Sequence, residues 1–318
     1  MAQVTEVRAG LPKKPSLEAR FKRAVREARR WRIHYLFMAP FMILFTIFTI
    51  IPVISSIYLS FTYFNVLEPP RWIGWSNFKL LFLEDDIFII ALKNTLLFAI
   101  ITGPVSFFLQ FFLAWLINSL KYRIAYTLAF YAPSITSGLA MGAIWQVLFS
   151  GDYYGYLNYI LIRLGILHEP YIWLSNVNTM LPIVIIVSLW MSMGSGFLAF
   201  LAGLQNMNEE LYEAGKVDGV RNRFQEVWYI TLPMMKPQLL FGAVMAVVRS
   251  LEVSGVAVAL TGLPSPLYAT HTIMTHLQDY AFIRFEMGYA SSISVVLFLM
   301  MFGLSRFFMR VLSTKGEY

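Results

Sequence analysis

Two charged residues stand where charge is expensive. Arg249 and Glu252 lie three apart inside an apolar run at about 239–260, so a helix there presents both on one face. At the centre of a bilayer each would cost roughly 2.5–3.5 kcal/mol on the insertion scale, which keeps both away from lipid. Two roles follow. They line a solute path, Arg249 meeting an acidic or hydroxyl-rich solute, or they form an internal salt bridge that locks one helix to its neighbours. Ser250, Ser254, Gln110, Asn94, Asn118 and Gln146 are weaker polar candidates, each equally suited to a hydrogen bond between helices. Trp190, with Tyr63, Phe64 and Trp145, offers a ring for stacking on a solute or for packing.

Other chemistries find no support. His271 and His276 are five apart without a third ligand, too few for a metal site. Glu84-Asp85-Asp86 reads as a solvated acidic turn, and Gly138-x-x-x-Gly142 as a helix-packing stripe. No order of Ser, His and Asp suggests a nucleophilic triad. Cysteine is absent, which excludes disulfides and thiolate chemistry. The sequence holds no GxxxxGK[ST] phosphate loop, so any nucleotide chemistry, with its ATP and Mg, belongs to other chains. No cofactor is expected in this one.

The elements that carry these residues are set by composition. Of 318 residues 58% are hydrophobic and 14% charged, too few charges to cover a water-facing surface. Six apolar segments of membrane-spanning length stand out, at about 35–61, 91–119, 124–149, 181–204, 239–260 and 288–312. An all-α integral membrane protein follows. Its six-span domain occupies 35–312, between a basic tail at 1–34 and a short tail at 313–318. Residues 1–34 hold ten Lys and Arg against three Glu, which equals the whole net charge of +7. With the N-terminus cytoplasmic, nineteen Lys and Arg fall on the inside and four outside, so both termini are expected in the cytoplasm. The stretch Ser16–Arg32 reads either as an amphipathic helix on the anionic leaflet or as an ordinary basic flank. Neither reading makes it a nucleic-acid arm. The outer connections at 62–90, 150–180 and 261–287 are rich in Trp and Tyr, suited to the membrane interface or to a docked partner.

One connection is too patterned for a simple link. Residues 206–237, on the cytoplasmic side, predict two short helices around a turn. Asn208 caps the first, with Glu209 and Glu210 in its first turn, and Leu211, Ala214 and Val217 share a face. Asp218-Gly219 marks the turn. Phe224, Val227, Trp228 and Ile230 follow, and Pro233 and Pro237 interrupt the chain before the next span. A helix–turn–helix of this kind suits a cleft on another protein, or else packs on the inner leaflet.

Here the residues resemble a known family. Glu213-Ala214-Gly215, then Asp218-Gly219, then Ile230-x-Leu232-Pro233 resemble the EAA loop of permease subunits of binding-protein-dependent ABC importers. Gly215 stands where that family usually has a second Ala, a change of roughly 1 kcal/mol in helix propensity. Phe200-Leu-Ala-Gly-Leu-Gln205, Tyr212, Leu260-Thr261-Gly262, Phe285-Glu-Met-Gly-Tyr-Ala-Ser291, Asn94-Thr95-Leu96 and Trp145 are similar to its maltose and glycerol-phosphate branch. Gly255-Val256 departs from it, since that branch often has Asp-Gln there. The resemblance implies a coupling loop docked on an ATP-hydrolysing subunit. Glu213 would pair with a base in that subunit, Gly219 would make the turn, and Ile230, Leu232 and Pro233 would hold the second helix to the membrane domain. It also implies two ATP-binding subunits, a second and similar permease, an external solute-binding protein and a carbohydrate cargo, with an oligosaccharide foremost and an acidic one favoured by Arg249. A permease for a non-sugar solute is the nearer alternative. A secondary transporter is the further one, because the sequence displays no interrupted spans in matching positions.

Overall fold

The computed structural model describes residues 30–136 and 138–312. The tail segment expected to be amphipathic lies almost wholly outside the described residues, as do residues 313–318. The described residues fall into two units, 30–55 and 56–312. α1 (Arg32–Phe45) runs through a π turn into α2 (Ile51–Leu59), giving a 28-residue apolar helix that makes up the described part of the first unit and whose residues 56–59 open the second. None of its residues is buried before Ser60, as suits a helix that meets lipid.

The second unit is built around α4 (Asp86–Asn118), 33 residues long and continuous through Pro104. Before it come a two-residue hairpin, β1 (Thr62–Tyr63) and β2 (Arg71–Trp72), and the short α3 (Ser76–Lys79). After it come α5 (Arg123–Ile135), α6 (Gly138–Leu148), α7 (Tyr156–Arg163), α8 (Val177–Trp190) and α9 (Ser195–Gln205). The 206–235 segment holds α10 (Glu209–Val217) and α11 (Arg223–Glu226), the latter prolonged by a π turn and one turn at Leu232–Met234. Next are α12 (Lys236–Leu251), α13 (Gly255–Thr261), α14 (Ile273–Gln278) and α15 (Met287–Leu312). Three apolar clusters line α4 from one end to the other: Phe88 with Leu251, Ile273 and Ile293; Phe98 with Val184, Val187 and Leu260; Ala114 and Ile117 with Phe197, Phe200 and Met235. The helices α9 and α12 approach closely where Gly242 lies against the ring of Phe200. A Cβ there would overlap the ring, so a small residue sets the spacing.

Two expectations are corrected. The apolar segment at 124–149 is not one helix: α5 and α6 are bent by 96° at the stretch flanked by Pro133 and Gly138. Proline denies the helix a donor, and Thr136 leaves helical angles at ψ 141°. Among the described residues five helices are thus long enough and apolar enough to cross a membrane, or six if the bent pair counts as one span. Spans without interruption are also overturned. Besides that bend, α8 and α9 part at 191–194, where Gly194 adopts φ −102°, ψ −140°, and α12 and α13 part at 252–254, where Ser254 adopts φ −147°, ψ −50°.

Candidate functional site

The three interruptions meet at one cavity of about 330 Å³. One wall is a stripe of α4: Phe98, Thr102, Ser106 and Gln110 recur every four residues and so share a face. Ser134 and Gly138 come from the bent pair, Ser188, Leu189, Met191 and Ser192 from the α8–α9 break, and Arg249, Ser250 and Glu252 to Val256 from the α12–α13 break. The hydroxyls of Thr102 and Ser106 donate back to the Phe98 and Gly103 carbonyls (2.8 and 3.1 Å). Gln110 is 4% exposed and donates to the Ser192 carbonyl (2.8 Å), bracing the break from α4. Among the described residues its Oε1, which lies against Gly196, has no hydrogen-bond partner, nor does the Ser188 hydroxyl.

Arg249 and Glu252 both open onto this cavity, and both are exposed within the chain. Among the described residues neither belongs to an ion pair, so the internal lock between them is not formed. Ser250 lines the cavity with its hydroxyl donated to Val247. Asn94 stands apart: its amide donates to the Tyr268 and His271 carbonyls (3.0 and 2.9 Å) and ties α4 to the 263–272 loop. Trp190 is set edge-on to Trp145 and does not line the cavity. Thr102, Ser106, Ser134 and Ser188 escaped sequence reasoning, although the four-residue spacing of small polar residues along α4 was visible.

The 206–235 segment presents the opposite character, with its groups turned outward. Asn208 Oδ1 accepts from the Glu210 amide (3.1 Å), capping α10 as expected, and Asn222 caps α11 (2.9 Å). The end of α10 is a Schellman motif. The Val220 amide donates to the Gly215 carbonyl (2.9 Å) and the Gly219 amide to the Lys216 carbonyl (3.2 Å). Gly219 sits at φ +95°, a conformation that glycine adopts freely and other residues resist. Tyr212 bonds the Thr231 hydroxyl (3.0 Å), fastening the first helix to the second. Gly215 answers its own departure from the family pattern: a Cβ there would strike Ile230 Cδ1, so the missing methyl is the space that Ile230 fills. Leu232 and Pro233 form the single turn that leads into α12.

Because Tyr212 and Gly215 take the inner face, Leu211, Ala214 and Val217 face out, Val217 at 88% exposure. Glu213 and Asp218 are exposed, and among the described residues Glu213 has no ion-pair partner. Phe224, Trp228 and Tyr229 are exposed as well, Phe224 leaning on Trp115 of α4. A stripe of apolar side chains beside a free carboxylate is a surface without its complement.

At the other end of the helices the polar groups are turned inward and bonded to one another, with His271 Nδ1 left without a partner among the described residues. The acidic turn expected to be solvated is corrected at Asp85, whose carboxylate is 8% exposed. It accepts from Tyr289 (2.6 Å), meets His276 Nε2 (3.0 Å) and caps α4 by accepting from the Phe88 amide (2.9 Å). Burial alone would raise its pKa, but the His276 and Tyr289 bonds and the Phe88 amide outweigh it and hold the carboxyl well below the usual range. His271 and His276 face each other at 3.1 Å, both buried. Burial foremost, then the neighbouring His276, lowers His271 to about 4. Arg284 pairs with Asp279 (2.8 Å) and covers the Tyr280 ring. On the third connection Trp173 is held by Asn158 (2.8 Å), whereas Trp72, Trp75 and Tyr154 are exposed.

The arrangement defines a helical membrane protein with a polar cavity at broken helices and a projecting helix pair at one end. The chain belongs to the family of inner-membrane components of binding-protein-dependent transport systems, whose model matches residues 109–315. It is 35% identical to YesP of Bacillus subtilis (strain 168), over 83% of this chain and 84% of that protein. It is 32% identical to the arabinooligosaccharides transport system permease protein AraP of the same organism, over 89% of this chain and 90% of that one. In structure it is similar to a chain of a bacterial alginate ABC transporter crystallised with an alginate pentasaccharide-bound periplasmic protein. The TM-score there is 0.74 at 25% identity, over 91% of this chain and 98% of that one.

Proposed function

We propose that this chain is the permease subunit of an ATP-driven importer for a carbohydrate, an oligosaccharide foremost. The family membership and the names of its relatives, an arabinooligosaccharide permease and an alginate transporter among them, support the cargo class. In this reading the bent α5–α6 pair completes six spans, both termini are cytoplasmic, and the 206–235 end faces the cytoplasm. Two partner subunits bind ATP and Mg and hydrolyse the nucleotide, because this chain has no phosphate loop. A second, similar permease supplies the other coupling loop. A solute-binding protein docks at the opposite end, among exposed rings such as Trp72, Trp75 and Tyr154.

One observation carries the mechanism: α10 turns Leu211, Ala214, Val217 and the free Glu213 outward while Tyr212 and Gly215 fix it to the chain behind. Glu213 pairs with a base on the ATPase subunit. When two such subunits close, the push passes through Gly219 and Ile230 to Leu232-Pro233 and α12, and through Phe224 and Trp115 to α4. Both helices line the cavity, which makes it the translocation path, with Arg249, Glu252, Ser250 and Gln110 along it. Interrupted helices give such a cavity backbone groups as well as side chains. Co-purification from native membranes tests the reading. The wild type should bring down an ATPase subunit and a second permease, and Glu213→Ala and Gly219→Pro should lose the ATPase or uncouple it. A chain that purifies alone, with both variants transporting normally, points instead to a secondary transporter.

A further inference from the structure

We propose that the solute carries a carboxylate, as a uronic-acid sugar does, and that Arg249 is the residue that selects for it. The proposal rests on the cavity being the translocation path.

An arginine at this depth needs a partner, and its own chain supplies none: among the described residues no carboxylate pairs with Arg249, not even Glu252 three residues on. The guanidinium lies against Gly194, where a Cβ would stand 3.1 Å from Cζ and from Nη2. Glycine is thus what admits the side chain to this position. Gly194 is also the N-cap of α9, an eleven-residue helix whose cap forms no side-chain hydrogen bond. Positive charge from the guanidinium and from the helix start therefore gathers on one side of the break. Guanidinium presents paired donors that match a carboxylate's two oxygens.

The rest of the cavity has the opposite sense. Glu252 is exposed on it at the C-cap of α12, the negative end of that helix, and Ser134 and Ser192, whose hydroxyls donate to backbone carbonyls, line it too. These groups accept hydrogen bonds, and sugar hydroxyls donate them. A neutral sugar would satisfy the acceptors and leave Arg249 unpaired. A simple anion would pair with Arg249 and leave the acceptors empty. A sugar acid satisfies both, and a site built for a polar group discriminates strongly against the analogue that lacks it.

The test compares a galacturonic-acid oligosaccharide with its carboxyl-reduced, neutral analogue in proteoliposomes holding the whole importer with its binding protein. The wild type should move the acidic form about tenfold faster, the scale of one charge-assisted contact. Arg249→Met should bring the two rates within a factor of about three, and Arg249→Lys, which keeps charge but loses the paired geometry, should fall between. Equal co-purification of the partner subunits checks that each variant assembles. ATP-dependent uptake of both forms at equal rates by the wild type, or an unchanged preference in Arg249→Met, overturns the assignment while leaving the importer reading in place. Uptake of either form without ATP overturns the importer reading itself.

Discussion

The two ends of the helices handle polar residues in opposite ways. At the end formed by Asp85, His271, His276 and Tyr289, charged and polar groups are buried and bonded to one another across elements far apart in sequence. At the 206–235 end, backbone groups are capped within the loop, but Glu213 and a row of apolar side chains are left facing outward. A buried network bonded across distant elements is an internal brace. An ordered but unmatched surface is half of an interface. In the proposed reading the contrast separates parts that hold the membrane domain's shape from parts that receive force.

The contrast is most easily broken at Gly219. Proline cannot reach φ +95°, so Gly219→Pro should abolish the Schellman cap and uncouple transport almost completely, read as ATP-dependent uptake. Gly219→Ala, with an αL cost of roughly 1–2 kcal/mol, should fall between. If Gly219→Pro transports as well as the wild type, the cap does not carry coupling.

The space beside Ile230 sharpens the same end. Gly215→Ala should destabilise the loop by about 1–3 kcal/mol through overpacking, despite the better helix propensity of alanine. Adding Ile230→Val, which removes the clashing Cδ1, should recover most of that. A thermal-shift cycle with additive effects would contradict the contact.

At the braced end the expectation is a pH dependence. His271 has a native pKa of about 4 against 6.5 when unfolded, so its contribution is present above 6.5 and lost as pH falls toward 4. By linkage the loop at 263–286 should weaken by about 2 kcal/mol at pH 5, seen as faster amide exchange there. Asp85, held below the usual range, keeps its contribution throughout that window and loses it only at lower pH. His271→Asn should flatten the profile; a profile unchanged by that substitution would remove His271 as its cause.

Asn94→Ala should have the smallest effect on transport. Losing two hydrogen bonds to loop carbonyls should cost about 1–3 kcal/mol of local stability and leave solute preference unchanged. A shift in solute preference would return Asn94 to the path.

Much of this was legible in the sequence, and the gaps have physical reasons. Long apolar runs, the Asn208 cap and the Asp218-Gly219 turn depend on neighbours in the chain, and all three stand in the structure. The helix breaks were hidden because hydropathy averages over a window: 181–204 is apolar whether or not the helix parts at Gly194. Asp85 and His276 are 191 residues apart, so no local pattern pairs them, and a short acidic run looked like a surface turn. Asn94 and Gln110 looked alike as lone polar residues, yet one meets a loop and the other a cavity. Leu211, Ala214 and Val217 read correctly as one face, but spacing alone does not say whether a face is covered.

The absence of cysteine makes the central claim directly accessible. A single cysteine at Val217, the most exposed residue of the α10 stripe, should cross-link to an ATP-hydrolysing subunit in native membranes, while one at Leu267, 80% exposed at the opposite end, should not. A Val217→Cys chain that forms no such link, and is instead labelled from outside intact cells by a membrane-impermeant thiol reagent, would show that the projecting helix pair is not the coupling element.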